Sequence, residues 1–228
     1  MDMFFIPVTS PEDWKPLLAQ PEKHWKTNHS AKALAYCWQN AQGFPDSITN
    51  VFRSSGIPMF VDIKMLVAFP EYKVPLPGGT TESQSDIFVL AKGDGKLVSI
   101  AVEGKALEGF GQTIYEWGKD KSSGKETRLN YLLNLLSLNY IDIGNCKYQL
   151  LHRTASAIIE AATFNAKVAL MLVHSFSDDQ QAYSDYKQFL NLFGLTNTPE
   201  NSLIFGKQIR GIDLYFAWAN GEKKYLSV

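Results

Sequence analysis

"SDIFVLAKGDGKLVSIAVEGKA", residues 85–106, decides how the chain is read. Two runs rich in Ile, Val, Leu and Phe flank a short polar break. Residues of these types suit a pleated, half-buried strand. Asp94-Gly95 in the break is a preferred pair for a two-residue type I′ turn, because both positions need positive φ. The stretch therefore reads as a hairpin in which Gly93 faces Lys96. Counting outward in that register sets Asp86 opposite Glu103. Side chains alternate along a strand, so Leu97, Ser99, Ala101, Glu103 and Lys105 share one face. Val98, Ile100, Val102 and Gly104 take the other. A longer turn or a bulge would shift the register by one and carry Asp86 to the wrong face.

Three charges thus gather at the open end of an apolar hairpin. Two opposed carboxylates repel, and burial makes the repulsion worse. A divalent cation resolves it: Mg²⁺ or Mn²⁺ takes carboxylates, a backbone carbonyl and waters. Lys105 can neutralise part of the charge, orient a water or stabilise charge growing on a phosphate. The competing reading is an exposed strand end, with Lys105 in a weak ion pair with one acid.

The rest of the chain frames this hairpin. Residues 1–60 read as helical: a Ser10-capped segment through Leu18, a helix capped by Ser30, and a third capped by Asp46 that stops at Gly56. Residues 59–71 read as a strand ended by Pro70. "PLPGGTTESQS" is a loop by composition, and "RLNYLLNLLSLN" is a helix by its leucine spacing. "KYQLLHRTASAIIEAATFNA" is the clearest amphipathic helix. Leu151, Ala155, Ile158 and Ala162 form its apolar stripe; Gln149, His152, Arg153, Ser156 and Glu160 form the polar one. "KVALMLVHSF" is a continuous apolar run, expected of a strand covered on both faces. A helix ending at Gly194 and a strand through "IDLYFAWANG" close the chain. The expectation is an α/β (α+β) fold, a central mixed sheet flanked by helices.

Composition bounds the function. The chain has 228 residues, 45% hydrophobic and 20% charged, so it can bury a sizeable core. A formal net charge of −1 argues against a protein that coats polyanions generally. The start, "MDMFFIPVTSPEDW", lacks a basic region and a long apolar region, so it is a poor signal peptide. No apolar run approaches the ~18 residues of a membrane span, so no membrane partner is expected. Cys37 and Cys146 sit in apolar patterns and read as buried thiols of a cytoplasmic protein.

The hairpin's charged residues resemble a known signature. Asp86, then Glu103-Gly104-Lys105 at the end of the next strand, resembles the D…(D/E)xK pattern of the PD-(D/E)xK, or restriction-endonuclease-like, nucleases. The order helix, three strands, helix, strand over residues 30–176 is similar to their core. The chain also resembles an uncharacterised bacterial domain family of that fold in "KVPLPGG", "VEGK", "YQLLHRTASA" and "LVHSF"; that likeness implies no activity. The superfamily resemblance implies a single domain with a helical extension over 1–30, a core over 31–176 and a helix-and-strand extension over 177–228. It also implies metal-dependent hydrolysis of phosphodiesters. Asp86 and Glu103 would hold Mg²⁺ (or Mn²⁺), with the Gly104 carbonyl as a further ligand. Lys105 would act on water or the transition state, and Gln149 would face the site from the following helix. Ser83 and Gln84, just before Asp86, read as substrate contacts or as caps of the loop. His152 and Arg153 become candidate substrate contacts, against the reading of Gln149, His152, Arg153 and Glu160 as a solvated helix face. The chain departs from the pattern at two places: residues 31–41 hold no carboxylate, and Ser85 stands where a proline is common.

Other candidates are weighed beside these. His24, His29, His152 and His174 show no zinc spacing. His174 reads as a satisfied core histidine. Lys119, Lys121, Lys125 and Arg128 read as a solvated loop or as a guide for a nucleic-acid backbone. Tyr115 and Trp117 read as packing residues or base-stacking residues. The leading expectation is a Mg²⁺-dependent nuclease acting on DNA, with a homodimer left open. The alternatives are a catalytically inactive nuclease-fold protein used for binding or scaffolding, and an enzyme acting on a smaller phosphorylated substrate.

Overall fold

A computed structural model describes residues 8–120, 122–139, 141–178 and 180–228. The first half of "MDMFFIPVTSPEDW", residues 1–7, and the Lys121 assignment lie outside these. Helical pieces come first: a 3₁₀ segment Pro11–Leu17, then α1 (Pro21–His24), α2 (Ser30–Ala41), α3 (Asp46–Ser54) and α4 (Pro58–Val61). Three strands follow: β1 (Lys64–Val74), β2 (Ser83–Gly93) and β3 (Lys96–Lys105). Next come α5 (Ile114–Trp117), α6 (Ser123–Leu136), α7 (Tyr148–Thr163), β4 (Val168–Ser175) and α8 (Gln180–Asn191). The chain closes with β5 (Ser202–Ile209), β6 (Ile212–Asn220) and a 3₁₀ segment Lys223–Leu226.

The strands form one six-stranded mixed sheet in the order β1-β2-β3-β4-β6-β5. β1, β2 and β3 are antiparallel neighbours, β3–β4 and β4–β6 pair in parallel, and β5 returns antiparallel to β6. The parallel step from β3 to β4 demands a crossover, and α7 supplies its long helix against both strands. The fold is thus α+β, with helices on both faces. One core holds α6, α7 and α8 against Ala101, Met171, Val173 and Phe216. The other holds α2 and α3 against Ile87, Ile100, Val102, Leu170 and Leu172. All of β4 is buried, as a strand with two covered faces must be. Among the described residues, no helix is long and apolar enough to cross a membrane.

Several local expectations change. Met59-Phe60-Val61 make a helical turn rather than a strand start. Pro70 does not end β1, because β1 is an edge strand and its missing N–H costs no ladder bond. His29, not Ser30, flanks α2, and Asp46 is the first residue of α3 rather than its cap. Ala162 is exposed, while Arg153, Ser156 and Glu160 of the polar stripe are buried against the sheet. β5 was missed altogether. Its signal was Arg210-Gly211, a positive-φ pair joining two β-rich runs into a hairpin.

Candidate active site

The turn chemistry sets the site. Asp94 and Gly95 take φ of 46° and 73°, as a type I′ turn requires. The β2–β3 register runs from Gly93↔Lys96 to Ile87↔Val102, the expected one. There the paired register ends, and the Asp86 carboxylate accepts the Gly104 N–H at 2.7 Å. Amides alternate sides along a strand. Lys105 turns its carbonyl to Phe176 on the β4 side, so Gly104 turns its peptide groups toward β2. Position 104 must also be glycine: a Cβ there would stand 2.2 Å from Leu34 Cδ1.

Glu103 is a buried hub. Lys105 Nζ and Gln149 Nε2 donate to its Oε1 at 2.7 and 2.6 Å, and Arg153 Nε donates to Oε2 at 2.6 Å. Gln149 and Arg153 stand four residues apart on α7, so one helical face delivers both. Burial pushes the Glu103 carboxyl up, but Lys105 and Arg153 outweigh it and hold the group below its ordinary range. Lys105 also lies 4.7 Å above the Phe110 ring.

Asp86 lies in the same cleft without such partners. Burial and then the Glu103 charge push it up to about 7. A third acid stands beside it. Glu71 belongs to β1 between the pairs Pro70↔Ile87 and Tyr72↔Ser85, yet its φ is 54°. A left-handed residue inside a strand re-aims its side chain at an energetic cost. Gln84 Nε2 donates to Glu71 Oε2 at 2.6 Å. Burial and then Asp86 push Glu71 up to about 8.

Ser83 and His152 buttress Arg153. Ser83 Oγ lies 2.7 Å from His152 Nδ1 and accepts from Arg153 Nη1 at 3.2 Å and Ser156 Oγ at 2.8 Å. Arg153 Nη1, a donor only, is also 3.1 Å from Nδ1, so Nδ1 is an acceptor and the ring proton sits on Nε2. Burial, then Arg153 and Arg128, keep His152 neutral.

These groups line a cleft of about 450 Å³. His24 and His29 stand at its N-terminal wall, and Glu108 accepts the first N–H of α2, from Ser30, at 2.9 Å. Of the residues that the nuclease resemblance and the flanking stretch nominate, all but Ser83 and the Gly104 backbone line this cleft; Ser83 sits behind it, holding His152 and Arg153. The surface ion-pair reading of Lys105 does not hold, since Lys105 and Glu103 are 3% and 2% exposed. His174 is the satisfied core histidine expected. Arg128 is no solvated loop residue, being 7% exposed. Glu160 is not solvated either and accepts from Tyr72. Glu71 went unrecognised because it stands at the very end of the strand read over 59–71, and its left-handed backbone leaves no mark in the sequence.

The donor set suits a hard divalent cation. Among the described residues, no group of three or more His, Cys, Asp or Glu closes on a metal by side chains alone. Mg²⁺ does not need one, as it binds through one or two carboxylates and keeps its waters. Asp86 and Glu71 form a carboxylate pair to which no cationic side chain of the described residues is bound, and the Gly104 peptide faces the same side.

Comparison with the curated proteins and with the solved structures finds no match. One family does match, over residues 7–223, and its description is "Domain of unknown function". The chain belongs to that family, DUF6946.

Proposed function

We propose that the chain is a Mg²⁺- or Mn²⁺-dependent nuclease of the restriction-endonuclease-like kind, hydrolysing phosphodiester bonds in DNA. The observation that carries this reading is the convergence of Asp86, Glu103 and Lys105 on one cleft where β2 and β3 part. Asp86, Glu103 and the Gly104 carbonyl would hold the ion, with Glu71 close enough to share its charge. Such an ion supplies a Lewis acid for the phosphate and a water of lowered pKa. Lys105, a buried ammonium fixed by Glu103, stabilises negative charge on the phosphoryl oxygens. Gln149 and Arg153 keep Glu103 in one orientation, and Arg153 can offer a free guanidinium N–H to phosphate.

The test is cleavage of plasmid and single-stranded DNA with and without Mg²⁺ or Mn²⁺. Cleavage should need the metal and be lost in Lys105→Ala protein whose circular dichroism is unchanged. Cleavage that survives Lys105→Ala would sink the mechanism. One observation favours a binding protein that has lost catalysis: both Glu103 oxygens are already engaged by Lys105, Gln149 and Arg153. Metal-independent DNA binding with no cleavage would select that reading.

A further inference from the structure

A second cleft of about 310 Å³ opens beside the first, and Tyr148 and His152 line both. Its other walls are the Gly78-Gly79 loop and the side chains of Trp117, Lys125 and Arg128. The loop packs on α6 as only glycine allows: a Cβ on Gly78 would stand 2.1 Å from the Gly124 carbonyl oxygen. Arg128 fastens this loop. Its Nε donates to the Pro77 carbonyl at 2.9 Å, and its Nη2 to those of Leu76 and Gly79 at 3.3 and 3.4 Å. Tyr148 is a further partner.

All of those partners are neutral. Among the described residues no carboxylate pairs with Arg128, whereas Arg153 has Glu103. A nearly buried guanidinium without a counter-charge is costly, and an anion in the cleft would relieve it. A second group is unmet as well. The His152 Nε2–H has no acceptor among the described residues, since the ring's hydrogen bonds there use Nδ1 alone. Lys125, over the Trp117 ring, adds a charge that exposed Asp120 only partly offsets. The one acid on the wall, Glu82, is exposed. The neighbouring clefts therefore differ in sign: acids dominate the first, cations the second.

We propose that the second cleft binds a phosphate of the substrate strand next to the one engaged in the first cleft, through Arg128, Lys125 and the His152 Nε2–H. This rests on the nuclease reading and deepens it. A small monophosphate can occupy only one cleft, so the substrate class is a polynucleotide strand. The same oxyanion chemistry is offered by free inorganic phosphate, and the two sources can be separated.

The experiment uses the full ¹⁵N-labelled chain in EDTA, titrated with tetrathymidylate and, separately, with inorganic phosphate. Tetrathymidylate should shift the Gly78 and Gly79 amides and the Trp117 indole. Its Kd should rise about tenfold in Arg128→Gln, through loss of charge-assisted bonds. Lys125→Gln should weaken it by a smaller factor, and this variant carries the test if Arg128→Gln does not fold. Unmoved second-cleft resonances, or a Kd unchanged in the folded variants, would overturn the proposal. Tighter binding of inorganic phosphate than of the strand would overturn the strand assignment. Because EDTA removes cleavage, the titration reads binding alone. Absence of metal-dependent cleavage would defeat the nuclease reading without touching this result, and cleavage that ignores the second cleft would do the reverse.

Discussion

Two polar nodes sit side by side at one end of the sheet, and they are built on opposite terms. Gly104 of β3 pairs with His174 of β4, so the acid cleft and the His174 node are neighbours on opposite faces. His174 is fully buried, and both ring nitrogens are met: Trp38 Nε1–H donates to Nδ1 at 3.2 Å, and Ser47 Oγ lies 3.1 Å from Nε2. Burial alone drops its pKa to about 3, so it stays neutral. Asp86 and Glu71 are pushed the other way, to about 7 and about 8, by burial first, then by the Glu103 charge on Asp86 and the Asp86 charge on Glu71. The contrast separates architecture from function. A polar group completed from within the protein is a packing element, and a group left unbalanced beside a cleft calls for something from outside.

The largest expected effect lies in the hub that joins the two terms. Glu103→Ala strands Lys105 and Arg153 as buried cations, which typically costs about 3–5 kcal/mol. Urea unfolding should show that loss at neutral pH, and the double variant Glu103→Ala/Arg153→Met should recover part of it. A loss under about 1 kcal/mol, the range of surface pairs, would mean that the hub is no buried network.

His174 comes next, through pH. Its folded pKa is depressed from 6.5 to about 3, so the unfolded chain binds the proton that the native chain refuses. Stability from this group is whole above ~6.5 and falls by about 1.4 kcal/mol per pH unit below it, until about pH 3. By pH 4 the loss is on the order of 3 kcal/mol. His174→Gln should flatten this part of the acid limb; an unchanged limb would remove His174 from the packing side of the comparison. Gly104→Ala follows. Its Cβ would meet Leu34 Cδ1 and Cγ at 2.2 and 2.8 Å, a clash of the overpacking kind worth about 1–3 kcal/mol. Leu34→Ala in the same chain should relieve it. Failure of that rescue would mean that Ser30 Cβ, 3.2 Å from the added methyl, excludes the side chain as well as Leu34 does.

The hairpin was legible in the sequence because one dipeptide fixes one register, and that register holds down to Ile87 and Val102, one step short of the expected Asp86–Glu103 pair. The α7 contribution was legible for a similar reason: a 3.6-residue period puts Gln149 and Arg153 on one line. Glu71 was not legible. Its side chain reaches the cleft only because its backbone takes φ of 54° within a strand, a choice no local preference of Glu announces. Arg128 was misread for a related reason. A basic run looks solvated until a glycine loop 50 residues earlier folds over it, and such long-range packing leaves no periodic mark. β5 was lost because its partner β6 closes the chain and its Gly206 breaks the apolar run, where the ladder shifts register.

The smallest effect probes the unbalanced pair directly. A carboxyl whose folded pKa is raised contributes stability below its ordinary pKa and loses it as pH climbs through the folded value. For Glu71 that window runs from about 4.5 to about 8, opposite in slope to His174. Near neutral pH the metal-free pair is therefore not doubly ionised, and a divalent cation has to displace a proton to bind there. Mn²⁺ binding followed by calorimetry in two buffers of different ionisation enthalpy should show net proton release at pH 7. Glu71→Gln should abolish most of the release and weaken Mn²⁺ about tenfold, because it removes one charge and one proton-holding carboxyl from the pair. It should leave the His174 acid limb untouched. Equal affinity and equal proton release in the variant would make Glu71 a bystander, and the left-handed residue in β1 would then need a purely structural reason.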